Sequence, residues 1–203
     1  GGGSVMDCAK VVAILLAHGG RLRDYLGQGK VMGHGLPLVL VPTTSGTGSE
    51  STPNALFIVD GEKQAVISHY LLPKVAVIDP VVTVTAPAEV TAASGVDALV
   101  HACESFTSLR STPLTEMYSL RATELIAGSI RTAVWQGSTM AARADMALGS
   151  YLAGIAIANA GTGAIHALAY PLGSRFGLSH GMSNSVMFAY VSEANVPADV
   201  RKF

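Results

Sequence analysis

The chain carries six histidines, at positions 18, 34, 69, 101, 166 and 180, and their neighbours sort them. Asp97 and His101 stand four apart in a helical run, Gly95-Val-Asp97-Ala-Leu-Val-His101. That spacing puts a carboxylate and an imidazole on one helix face, pointing the same way. The pair can grip a cation; it can equally be an ordinary Asp–His pair. His166 falls inside an apolar helical run, Ala164-Ile-His166-Ala-Leu-Ala-Tyr170. A buried imidazole there needs a partner, either a hydrogen bond or a metal. His180 precedes Gly181 at the expected start of a helix, where a ligand has room to approach. Asp97, His101, His166 and His180 could together offer one oxygen and three nitrogens, a donor set that suits Fe²⁺ or Zn²⁺ better than Mg²⁺ or Ca²⁺. His18, His34 and His69 have no partners in pattern and receive no role, and Cys8 and Cys103 read as small packing residues.

Two loops are candidates for binding phosphate. Gly1-Gly-Gly-Ser4 leads into a helical segment at 5–18, with Ser4 as expected N-cap and Asp7 three positions on. Unpaired N–H groups and the helix dipole favour an anion at such a terminus, and glycines let it come close. The spacing is not G-x-G-x-x-G, so a plain turn or a cloning linker explains these four residues as well. The second loop, Thr43-Thr-Ser-Gly-Thr-Gly-Ser49, follows an apolar stretch and is dense in hydroxyls; a polar turn is the alternative. Two such loops in one small region favour a nucleotide.

The elements that must position these residues fall into two regions. Strands are expected at 36–41, 55–59, 64–67 and 74–79, with a hairpin turn at Asp60-Gly61. Beyond Pro87 only helices are expected: 88–108 with a break at Ser94-Gly95, 113–135 capped by Thr112, 139–159, and one from 164 that bends or ends near Pro171. A further helix follows His180, and another begins after 191. The boundary is expected near 84–88, dividing a partial α/β dinucleotide-binding domain, 1–85, from a partial helical metal-binding domain, 86–203.

Composition narrows the function classes. The 203 residues are 49% hydrophobic and only 13% charged, against about 25% charged in ordinary globular chains. That apolar content argues against disorder. Thirteen Lys+Arg against fourteen Asp+Glu leave no polybasic surface for nucleic acid or a membrane. The apolar runs are short, the N-terminus shows no export pattern, and two cysteines make no disulfide framework, so a cytoplasmic setting is expected.

Five stretches, in order and at matching spacing, resemble the iron-containing (group III) alcohol dehydrogenases. They are Gly1-Gly-Gly-Ser-Val-Met-Asp7-Cys-Ala-Lys10, Pro42-Thr-Thr-Ser-Gly-Thr-Gly-Ser-Glu50, Gly95-Val-Asp97-Ala-Leu-Val-His101, Asn159-Ala-Gly-Thr-Gly-Ala-Ile-His166-Ala-Leu-Ala-Tyr-Pro-Leu-Gly173 and Ser179-His180-Gly181. They span nearly the whole chain and argue against a linker at Gly1–Ser4. The resemblance implies a dehydroquinate synthase-like architecture, an α/β nucleotide-binding portion followed by an all-α metal-binding domain, and a chain that looks like an internal piece lacking both ends.

The resemblance also implies chemistry: hydride transfer between an alcohol and aldehyde or ketone and NAD or NADP, with one Fe²⁺ or Zn²⁺ between the domains. By position, the metal ligands are Asp97, His101, His166 and His180, and the cofactor contacts are Gly2, Gly3, Ser4, Thr43, Thr44, Thr47, Thr52, Lys63 and Val82. Asn54 matches a position near the nicotinamide in some members. Metal-independent maleylacetate reductases usually carry Asn where this chain has Asp97, which favours a metal enzyme. Many alcohol-oxidising members have a second histidine where this chain has Tyr170, so Tyr170 and His180 are the expected catalytic pair. A homo-oligomer, dimer or larger, is expected, with a small-molecule alcohol or aldehyde as partner and neither nucleic acid nor membrane. A metal-dependent hydrolase using the same four side chains, or an inactive truncated remnant, are the alternatives.

Overall fold

The computed structural model describes residues 1–198 and 202. The first part is mixed. Helix α1 (Gly3–His18) and the short α2 (Leu22–Tyr25) precede strand β1 (Gly27–Gln28), followed by β2 (Val39–Leu40), β3 (Asn54–Val59), β4 (Glu62–Ile67) and β5 (Val75–Ala76). One sheet has the order β1-β4-β3, with β1 parallel and β3 antiparallel to β4; the other pairs β2 and β5 in parallel. The β3–β4 hairpin turns at Asp60 (φ 54°) and Gly61 (φ 81°), the two positive φ values that a tight two-residue hairpin turn requires. Val11, Ile14, Val31, Ala55, Val66 and Leu71 form the core beneath α1.

The rest is helical: α3 (Ala88–Thr107), α4 (Pro113–Trp135), α5 (Met140–Ala160), α6 (Ala164–Phe176) and α7 (His180–Asn195). Thr112 accepts from the Thr115 N–H at 3.3 Å and Pro113 opens α4, so the expected cap is present. Ala98, Ala102, Ala122, Ile126, Ala133, Ala142, Met146 and Ala153 pack α3, α4 and α5 together; small side chains let these helices approach. Val100, Ile165 and Val191 tie α3 to α6 and α7. No single described helix is long and apolar enough to cross a membrane.

Several local expectations are corrected. Ser4 is not a cap: α1 begins at Gly3 with Gly2 as its N-cap. Asp7 instead turns inward, where Ser49 Oγ donates to it at 2.5 Å and the Leu56 N–H at 2.9 Å. The strands expected at 36–41 and 74–79 shrink to two residues each. The break expected at Ser94-Gly95 does not occur, because Gly95 lies under Met146 and Ile130, where a Cβ would come within 2.7 Å of one and 2.9 Å of the other. Helix α6 runs through Pro171 to Phe176. The stretch after 191 begins as the end of α7, and 199–201 and 203 lie outside the described residues. Cys8 is exposed and so packs nothing, whereas Cys103 is partly buried.

The two parts meet at the Thr43–Ser49 loop. Gly48, at φ 60°, touches the α5 backbone: a Cβ there would stand 2.6 Å from the Gly154 Cα. Gly46 presses on α3 in the same way, its Cβ position 2.5 Å from that of Ser94. Arg143, buried on α5, donates to the Gly137 carbonyl at 2.7 Å and to Thr91 Oγ1 at 2.9 Å, fixing the start of α3.

Gly48→Ala combines left-handed strain with a backbone clash, so it should destabilise the fold by about 1–3 kcal/mol, read by urea denaturation. Burial pushes the Cys103 thiol up to about 11. At pH 8 a disulfide-exchange reagent should therefore modify Cys8 rapidly in the native protein, and Cys103 only after unfolding.

Candidate metal centre

Helix α3 presents Asp97, His101 and Glu104 at i, i+4 and i+7, one face of two turns. Helix α6 brings His166 in its first turn, and α7 begins at His180. Gly181 makes the last placement possible, since a Cβ there would overlap the Ala93 carbonyl of α3. The result is one carboxylate oxygen faced by three imidazole nitrogens. His101 Nε2 and His166 Nε2 each lie 3.8 Å from Asp97 Oδ1, and His180 Nε2 lies 3.6 Å from it. Asp97, His101 and His166 are buried and offer ligand atoms all within 4.8 Å of one another; His180, partly exposed, faces the same Asp97 oxygen and meets the His166 ring edge-on, with ring centres 5.3 Å apart.

The donor set fits a transition-metal ion. Bonds of about 2.0–2.1 Å at a tetrahedral angle put ligand atoms about 3.3 Å apart. The observed 3.6–3.8 Å is slightly wider than that. Burial holds the His101 and His180 imidazoles below their usual pKa, His180 at about 4, so both are in the neutral form that binds metal. Burial alone would raise the Asp97 carboxyl, but the surrounding imidazoles and the Asn184 amide outweigh it and hold it below the ordinary range.

Glu104 is the residue that pattern reading missed. Its Oε2 meets His166 Nδ1 at 2.6 Å, and its Oε1 accepts from the backbone N–H of Ile165 at 2.7 Å. It thereby caps α6, whose N-cap Gly163 has no side chain to do so, and fixes the ring so that Nε2 faces Asp97. The sequence signal was available: Glu104 follows Asp97 at i+7 on the same stripe. His101 is backed differently: its buried Nδ1 makes no well-formed hydrogen bond and sits beside the Gly46 backbone.

The expected cofactor residues divide into two groups. Gly2 and Gly3 lie against Thr44 and Thr47: a Cβ at Gly3 would stand 2.7 Å from Thr47 Cγ2, and the Thr43 N–H donates to the Gly1 carbonyl at 3.0 Å. Ser4 sits beside them in the first turn of α1. This is a close glycine–threonine cradle at a helix N-terminus, the kind of place that accepts a diphosphate. Thr52 is buried, and its carbonyl and that of Asn54 accept from Lys10 Nζ at 2.8 Å each. Val82 lies on the turn Pro80–Thr83, whose Thr83 shares a small cavity with Thr44 and Ser45. Lys63 reaches away from the cradle, its Nζ 4.4 Å from the centre of the Tyr170 ring, and that ring stacks on His180 at 5.8 Å. Lys63 and Tyr170 thus join the β-hairpin to the imidazole cluster.

A family model for iron-containing alcohol dehydrogenase matches residues 1–80, and one for the C-terminal part of the Fe-containing alcohol dehydrogenase family matches 91–203. The chain belongs to the iron-containing alcohol dehydrogenase family. Relatives include a long-chain-alcohol dehydrogenase 1 of Geobacillus thermodenitrificans, 48% identical over 94% of this chain and 49% of the relative. The NAD-dependent methanol dehydrogenase of Bacillus methanolicus is 38% identical over 100% of this chain and 54% of its own. Among solved structures, an alcohol dehydrogenase from Oenococcus oeni superposes with a TM-score of 0.95 at 34% identity, over 99% of this chain and 53% of that one. The chain spans about half the length of the curated relatives it matches. Its fold is the family's, an α/β portion followed by an all-α portion.

Glu104→Ala should leave His166 Nδ1 and the Ile165 N–H unsatisfied in the interior. The metal-free protein should lose about 1–3 kcal/mol, measured by urea denaturation in the presence of a chelator. The His166 hydrogen bond holds the Glu104 carboxyl below its ordinary range against the opposing effect of burial. Its contribution is therefore present above the unfolded carboxylate pKa and is lost as pH falls below it.

Proposed function

We propose that this chain supplies the reacting core of a metal-dependent, nicotinamide-linked alcohol dehydrogenase. It transfers a hydride between an alcohol and the matching aldehyde or ketone. The observation that carries this reading is the meeting of three imidazole nitrogens on one buried carboxylate oxygen, beside a lysine that reaches over from the β-hairpin. Asp97, His101, His166 and His180 hold the metal, with iron favoured by the family and zinc acceptable to the same donors. Residues 1–85 and 86–203 act as the nucleotide-binding and metal-binding parts.

When bound, the metal supplies Lewis acidity that stabilises negative charge on the substrate oxygen. The protein's own side chains do the positioning. Gly2, Gly3, Ser4, Thr43, Thr44 and Thr47 would hold the diphosphate of NAD or NADP at the start of α1, with Thr52 and Val82 as further cofactor contacts. Lys63 and Tyr170, which join the β-hairpin to the imidazole cluster, would border the nicotinamide end of the cofactor and help orient it toward the substrate. Tyr170 and His180, stacked on each other, form the edge of the site along which the alcohol proton leaves. NAD is favoured because a relative of known specificity, the methanol dehydrogenase, is NAD-dependent. Small-molecule alcohols and aldehydes, short- or long-chain, are the substrate class, and a cytoplasmic homo-oligomer without nucleic-acid or membrane partners is the expected working form.

In the holoenzyme, Asp97→Ala and His166→Ala should each lower bound metal and alcohol-dependent NADH formation together, by at least about tenfold. Elemental analysis and NADH absorbance are the two readouts. Full turnover by a metal-free variant would sink the ligand assignment. Metal-dependent ester or amide cleavage, with no NADH formed from any short-chain alcohol, would favour a hydrolase instead.

A further inference from the structure

Asn184 lies one turn beyond His180 on α7 and is completely buried. Its Nδ2 donates to Asp97 Oδ1 at 2.6 Å, the same oxygen that the three imidazoles face. The same nitrogen lies farther from His166 Nε2 and His180 Nε2, at 3.3 and 3.5 Å, so the carboxylate is its principal partner. At its other end, Oδ1 is buried with no hydrogen-bond partner among the described residues. Packing alone does not call for an amide here, because a leucine of similar volume would fill the space without stranding a polar atom.

We propose that Asn184 is a positioning residue for the metal-binding carboxylate. Its side-chain N–H holds Asp97 in the rotation that aims Oδ1 at the imidazoles. An aspartate carboxylate otherwise turns broadly about its terminal torsion and presents either oxygen. The same bond joins α7 to α3 four residues from His180, so it also sets where His180 meets Asp97. This inference rests on the metal reading of Asp97, His101, His166 and His180. Outer partners of metal ligands typically change affinity 10- to 100-fold when removed.

The test compares wild type with Asn184→Leu, which keeps volume without a donor, and Asn184→Ala, in the full protein. Zn²⁺ affinity is measured by competition with a chelator, the Co²⁺ absorption spectrum reports ligand geometry, and thermal unfolding of the metal-free form reports the fold. The expected result is Zn²⁺ binding weakened about 10- to 100-fold in both variants, with an altered Co²⁺ spectrum and a metal-free Asn184→Leu that still unfolds cooperatively, at a lower temperature than wild type because the buried Asp97 carboxylate has lost its donor. Wild-type affinity and spectrum in Asn184→Leu overturn the proposal and leave Asn184 a packing residue. A wild-type protein that binds neither ion removes the metal reading, and this inference with it. If neither variant folds, a crystal structure of the Zn²⁺-loaded wild type decides. Nδ2 within hydrogen-bond reach of Asp97 supports the proposal, and an amide turned away overturns it.

Discussion

A carboxylate held away from water must be compensated within its own shell, and Asp97 makes that demand on everything around it. Desolvating such a group costs several kcal/mol even after relaxation. The compensation comes from three helices: two turns of α3, the first turn of α6, and the first turns of α7. No one of them could supply it alone. The small-residue packing of α3 against α4 and α5 then serves to hold α3 rigid while α6 and α7 deliver their histidines.

Close approach is the second constraint, and glycine meets it at each junction that matters. Gly181 lets α7 reach the α3 backbone, Gly163 admits the Glu104 carboxylate to the N-terminus of α6, and Gly48 seats the threonine-rich loop on α5. These contacts have a common effect: they let backbone and polar groups meet where a side chain would hold them apart. The D-x-x-K pair of the first helix belongs to the same system. Asp7 and Lys10 bind the 49–56 segment from beneath, and burial pulls the Lys10 ammonium down to about 8. Their role is to fix the loop rather than to touch a nucleotide.

The helical half was legible because its signals are local. Thr112-Pro113 marks a helix start, Gly161-Thr-Gly163 marks a stop, and the i, i+4 spacing of Asp97 and His101 survives folding unchanged. What was not legible depended on tertiary contacts. Ser4 and Asp7 look like a cap until Ser49 and Leu56 claim the aspartate. Ser94-Gly95 looks like a break until Met146 and Ile130 close over the glycine. The two-residue strands are short because their pairing depends on neighbours in space rather than on their own apolar runs. Glu104 and Asn184 escaped notice for a related reason. Glu104 shares the stripe of Asp97, but that spacing does not name its partner on α6, and a lone amide in a polar stretch carries no pattern at all; both matter only where three helices cross.

The two buried imidazoles that face Asp97 are backed in opposite ways, and the difference bears on how the site works. His166 leans on a carboxylate that is itself anchored to backbone, which fixes the ring's direction. His101 has no such anion behind it; its outer nitrogen sits beside the backbone of the loop that also carries Thr43, Thr44 and Thr47. One imidazole is therefore held by the helical half alone, while the other borders the loop proposed to hold the cofactor. Lys63 over Tyr170, and Tyr170 on His180, make the corresponding link on the open side of the cluster. Hydride transfer needs donor and acceptor carbons held within reach while charge changes on the oxygen beside them. For the proposed reaction, an arrangement in which the loop borders one imidazole and the lysine is linked to another through Tyr170 meets that need more directly than two separately rigid sites would.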